Sequence, residues 1–190
     1  NRGTQSGFFS TNVTGLLAGA TYWYSCCATN LAGDDWPASS VTFTTLQAGV
    51  SIADTSVKEG DSGTTNAAFT VTLSATSGVD VLVYWTASNG TATTADNDYG
   101  ATNGVLTFAA GGSTSATVTV GVIGDTVDVG AEFFYVNITN ITGATNIDTL
   151  ATGTITDDDG TIVFGDGASG SDANGGTSWS DAWATLTNAV

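Results

Sequence analysis

The sequence contains no histidine and no methionine, a single proline, and only two basic side chains, Arg2 and Lys58. Without histidine there is no Ser-His-Asp triad, no imidazole general base and no His-ligated zinc site. Lys, Arg, Met and Gln, which favour helices, are nearly missing, while Thr, Val, Gly and Ala abound, the usage of extended strands joined by tight turns. Against two cations stand 18 acids, a formal charge of −16. Such a charge cannot be neutralised internally, so it implies attendant cations or a very salty setting, and it makes nucleic acid and anionic membranes poor partners. No apolar run reaches the ~18 residues of a membrane span, and no basic-then-apolar start marks a signal peptide. The chain opens in mid-pattern, as a mature fragment or an excised segment of something larger would.

The only cysteines, Cys26 and Cys27, are neighbours. Adjacent α-carbons ~3.8 Å apart fall short of the ~4.4–6.8 Å of ordinary disulfides, so thiols are expected rather than a staple. On a strand one of the two faces inward as a small apolar packing residue.

Residues 1–47 carry two alternating strand signals, "ATYWYSCCATN" and "SSVTFTTL", separated by the turn-rich "LAGDDWPA", which reads as a hairpin. Leu16, Tyr22, "ATN" with "AG", and the closing "TFTT" resemble the second half of a fibronectin type III domain. That resemblance implies a tyrosine corner, with the Tyr22 ring packed and its hydroxyl bonded back across the turn. A sandwich needs about seven strands, and at most four are available here. A sheet with an open edge invites strand addition, so another copy or upstream sequence is expected to complete it.

Residues 48–160 read as a complete unit of seven short strands, near 50–58, 66–74, 80–87, 104–109, 114–123, 132–139 and 149–156, with Gly, Asn and Asp turns between them. The fold class expected is all-β, tandem immunoglobulin-like antiparallel β-sandwiches, one partial and one complete. Period-two alternation places Phe69, Val71 and Leu73 on one core face, with Val81, Val83 and Trp85 similarly aligned. From Thr161 the character changes to a Gly/Ser/Asp loop and then "WSDAWATLTNAV", a helix candidate with Trp179, Trp183, Leu186 and Val190 at helical spacing and Ser178 as N-cap. "GSDANGGTSWSDAWATL" resembles the entry segment of extracellular parallel β-helix proteins.

The middle unit also carries "VKEGDSG", "NGTATTADNDY", "GVLTFAAGGSTSATVTV", "VIGDTVDVGAEFF" and "GTITDDD", in that order. Together they resemble a Calx-β domain, the module of sodium/calcium exchanger regulatory regions and of many bacterial surface proteins. Calcium takes six to eight hard oxygen ligands, and loops at one end of a sandwich bring carboxylates together from distant parts of a chain. Asp157, Asp158 and Asp159 follow a strand directly, where successive side chains diverge and serve more than one ion, and three adjacent anions repel without a cation. The resemblance adds Glu59, Asp98 and Asp125 at the same end, six candidate Ca2+ ligands in all. Two departures matter. Gly124 and Asp125 stand where exchanger domains pair two acids before the sixth strand, and Val129 where many members have Glu, so one ion site is expected to be thinned or lost. Asp128 is placed to substitute for the missing Glu but reads first as a solvated turn acid, Asp54 and Asp148 read as solvated acids, and Glu132 fits either metal or structure.

These features lead to a non-catalytic calcium-binding structural or adhesive module of a secreted or cell-surface protein, a repeating subunit of an extracellular filament assembled head-to-tail by strand complementation. The partners are other copies or neighbouring domains of a larger chain. The alternative is a spacer or sugar-binding part of a carbohydrate-active β-helix protein, in which Trp23, Trp36 and Trp179 stack on glycans. Sequons at Asn12, Asn89, Asn137 and Asn140 are chance-prone in Thr-rich strands. No nucleophile, base and orienter grouping supports an enzyme.

Overall fold

The computed structural model describes residues 10–30 and 32–160. The helix and β-helix-like segment expected beyond Thr161 lie outside them. Every element among the described residues is a strand, and none of those residues forms a helix long and apolar enough to cross a membrane.

Strands β1 (Thr21–Tyr24) and β4 (Val41–Thr44) form the expected antiparallel pair, with Tyr22 opposite Phe43, and the intervening segment folds as a small hairpin of β2 (Ala28–Asn30) and β3 (Gly33–Asp35). The Tyr22 hydroxyl accepts the Leu17 N–H at 2.8 Å while its ring stacks on Phe43 at 5.8 Å, the corner that the resemblance implied. Cys26 and Cys27 correct the expectation of one buried thiol. They fall between β1 and β2, off the strand register, and both are exposed. Ala18 joins this part to the next by bonding on both sides, its N–H to Thr76 and its carbonyl to Gly78 N–H.

The rest is a two-layer sandwich. β5 (Gly49–Ile52), β6 (Thr55–Lys58), β7 (Gly63–Leu73), β8 (Val81–Asn89), β9 (Asn103–Phe108), β10 (Ser115–Gly124), β11 (Glu132–Thr142), β12 (Thr145–Asn146) and β13 (Leu150–Thr156) follow in sequence. They assemble as a four-stranded sheet β10-β7-β5-β12 and a five-stranded sheet β6-β13-β11-β8-β9. Alternation decides the faces: Phe69, Val71, Leu73, Val81 and Val83 are buried as expected, and Phe134, Val136 and Ile138 meet them from β11. Trp85 is only half-buried, its indole lying over Gly104. At the centre Phe134 packs edge-on to Phe69 and stacks on Tyr99 at 4.6 Å. Gly153 sits beneath these rings, where a β-carbon would strike Phe134 and Phe69.

The strand expected over 50–58 is two strands in different layers. After Ile52 the chain leaves the four-stranded sheet and β6 pairs with β13 in parallel, Lys58 opposite Thr156. Asp54 is more than a solvated acid, because its carboxylate accepts the Thr152 N–H at 2.7 Å at the point of crossing. The remaining pairings are antiparallel except the short β5–β12 contact.

Candidate metal centre

The crossing of β6 creates the site. Because β6 and β13 run parallel and in register up to Lys58 and Thr156, the next residues, Glu59 and Asp157, leave the sheet at the same end. Gly60, at φ +78°, turns the chain away at once, a conformation that costs glycine little. Glu59 is 5% exposed, one of two buried polar side chains among the described residues. Carboxylate oxygens of Glu59, Asp157 and Asp159 all lie within 4.8 Å of one another.

Each acid has a distinct setting. Burial, followed by the charges of Asp157, Asp125, Asp159 and Asp98, pushes the Glu59 carboxyl up to about 7. Asp157 goes the other way. One of its oxygens accepts the Asp159 N–H at 2.8 Å and the other accepts those of Gly130 and Val129 at 2.7 Å, which holds its carboxyl below the usual range. Asp159 is raised by desolvation and then by Asp157, Asp61, Asp125 and Asp158, and its Oδ2 is shut from solvent with no hydrogen-bond partner among the described residues. Such an orphaned carboxylate oxygen is costly unless a cation meets it.

The other three candidates stand around this trio. Asp125 follows β10 and accepts the Val127 N–H at 2.7 Å, and its charge is felt by both Glu59 and Asp159. Asp98 closes a turn in which Asn97 adopts φ 68°, accepting the Thr93 N–H at 2.6 Å, and the buried ring of Tyr99 fixes it from the next position. Asp158 points elsewhere: it accepts the Gly60 N–H at 2.9 Å and faces Lys58 Nζ at 3.7 Å, an ion pair too exposed to contribute much.

Sequence reasoning left two acids unplaced. Burial, followed by the neighbouring Asp98 carboxylate, raises the Glu132 carboxyl, so it belongs to the acidic end beside Asp98. Asp61 was visible only as part of "EGDSG" and acts on Asp159 by charge. The departures at Gly124 and Val129 also acquire causes. A β-carbon on Gly124 would collide with the Gly60 carbonyl and come within 2.7 Å of that of Glu59, so no acid fits there. Val129 contributes its backbone N–H to Asp157 while its side chain remains exposed. The site is thus all hard oxygen, with several carboxylates converging on one buried unpaired atom. These donors suit calcium, which accepts many oxygens in flexible geometry.

Fold and site together define a β-sandwich module whose loops gather carboxylates at one end. The chain belongs to the Calx-beta domain family, whose model matches residues 45–159. Among solved structures it is similar to the apo form of the Calx CBD1 domain, 24% identical with a TM-score of 0.52 over 60% of this chain and 99% of that one. It is also similar to the calcium binding domain CBD12 of CALX1.1, 23% identical with a TM-score of 0.51 over 62% of this chain and 50% of that one. CBD12 from CALX1.2 is 24% identical with a TM-score of 0.52 over 64% and 48%. The match thus spans about half of each CBD12 structure, and at these identities the likeness is one of fold. No curated protein matches the chain.

Proposed function

We propose that the chain is a non-catalytic calcium-binding module of a secreted or cell-surface protein, in which Glu59, Asp157 and Asp159 hold Ca2+ and Asp98 and Asp125 supply further negative charge beside it. The observation that carries this reading is the buried Oδ2 of Asp159, which has no hydrogen-bond partner among the described residues and lies within reach of two other carboxylates. Calcium would neutralise anions that now repel, and so stiffen the end of the sandwich where residues 157–159 lead out of the domain. That is a structural or adhesive role, in which the ion sets the joint to the following segment. The β1–β4 pair, with Val41 and Phe43 exposed, supports head-to-tail completion by a neighbouring copy. Exposed Trp23 and Trp36 favour a second reading, glycan contact in a larger carbohydrate-active protein.

Differential scanning calorimetry of the metal-stripped chain with and without millimolar calcium tests the proposal. Binding to the folded state alone stabilises by ~2.7 kcal/mol at a hundredfold excess over the dissociation constant, so the transition should move upward. Superimposable traces would sink the calcium reading.

A further inference from the structure

The sandwich has four sheet edges, and they are not equally protected. Natural edges are blunted by charges, prolines or bulges that discourage pairing with another chain. β6 ends in Lys58 and is flanked by Asp54 and Glu59, and β12 is two residues long with Asp148 close behind. The edges formed by β9 and β10 lie side by side on one flank, and from Tyr99 to Gly124 the sequence holds no charged residue and no proline. In a chain of formal charge −16, this flank lacks the charge that guards the others.

β10 can be read group by group. Its odd-numbered residues direct their backbone groups away from β7, as Gly121 and Ile123 show by bonding Gly100 N–H and Asp98 carbonyl, both at 2.9 Å. At the other end Ser113 Oγ accepts the Ser115 N–H and donates to the Ser115 carbonyl. Thr117 and Thr119 lie between these covers, exposed, and their outward N–H and carbonyl groups have no partner among the described residues.

We propose that this gap is a strand-addition surface and that its occupant is the same gap of a second copy, paired antiparallel about Val118. Thr117 of each copy then faces Thr119 of the other, forming two hydrogen-bonded pairs with about four backbone bonds and apposing β-branched hydroxyl side chains, a favourable cross-strand combination. A copy rather than an oppositely charged protein is indicated because the flank offers no charge to complement. Antiparallel pairing also carries the two acidic ends to opposite extremes. The Asp125 residues of the two copies stand on the order of 45 Å apart along the strand direction, several times the ~8 Å screening length at physiological salt. This contact is lateral and does not depend on calcium or on residues 1–47.

Sedimentation equilibrium of the whole chain from micromolar to millimolar concentration, at physiological salt, tests it. The mass should rise from 19.0 kDa toward twice that value. Thr117→Pro removes an outward N–H at an edge position where proline is tolerated, and Thr117→Glu with Thr119→Glu sets like charges opposite each other. Both variants should keep the wild-type melting temperature within a few degrees and fall to half the mass that the wild type reaches. Thr139→Glu with Thr142→Glu adds equal charge at exposed positions on interior strand β11 and should dimerise as the wild type does. A wild-type chain that stays monomeric throughout overturns the proposal and leaves the edge to an extended segment of another protein. Doubling that persists in both edge variants overturns it too, and places the contact elsewhere.

Discussion

Glu59 and Asp157 present carboxylate oxygens within 4.8 Å of each other, yet their surroundings pull them in opposite directions, Glu59 up to about 7 and Asp157 below its usual range. One is buried without a donor among the described residues, and the other is held by three backbone N–H groups. The pair therefore stores a charge conflict that pH relieves from one side and a cation from the other.

The first prediction follows from linkage. A carboxyl whose folded value lies above its unfolded value of 4.5 contributes stability fully below pH 4.5 and loses it as pH rises through about 7. Glu59 alone is worth on the order of 3 kcal/mol across that window. Asp157 has the opposite sign, its contribution being present above pH 3.8 and lost as pH falls through its depressed folded value. The metal-stripped domain should thus melt several degrees lower at pH 7.5 than at pH 4.5, by circular dichroism. With millimolar calcium the order should reverse, because ligation needs the deprotonated carboxylates.

Glu59→Gln separates a ligand from a merely buried acid. Removing the charge relieves the repulsion from Asp157, Asp125 and Asp159, so the metal-stripped variant should melt above the wild type at pH 7.5 and lose most of the calcium-induced shift. A variant less stable than wild type in both conditions would show that Glu59 acts only by packing.

The two neighbouring aspartates should behave differently. Asp157→Asn weakens three charge-assisted backbone bonds, so it should lower stability even without any metal and loosen residues 128–130. Asp158→Asn disturbs the Gly60 N–H bond and an exposed ion pair, so the calcium response should survive nearly intact. Chemical denaturation with and without calcium reads both effects.

Much of this domain is legible in its sequence. The alternation through Phe69, Val71 and Leu73 is a local consequence of strand geometry, and the motif order placed the acids in loops at one end. The trio at the centre was harder to see. Glu59 and Asp157 meet because β6 abandons one sheet for a parallel pairing in the other, a long-range choice that "SIADTSVKEG" does not announce. Asp158 looked equivalent to its neighbours because sequence does not tell which way each side chain of "DDD" turns. The cysteines were misplaced because the strand signal in "YWYSCCATN" runs past the point where β1 ends.

The last prediction concerns Gly124, which the family resemblance marks as a missing acid. In this fold the position is closed by backbone: the Gly60 carbonyl occupies the space a β-carbon would take, and Gly124 pairs with Gly63 at the end of β7. Relief would require the turn at Gly60 to move, and that turn carries Glu59 into the site. Gly124→Ala should therefore destabilise the domain by ~1–3 kcal/mol, the usual cost of overpacking, and lower calcium affinity although no ligand has changed. Gly124→Asp should do the same rather than create a second ion site, so isothermal titration should give a stoichiometry no higher than that of the wild type. An increase would show that Gly60 yields and that the acidic end is adaptable.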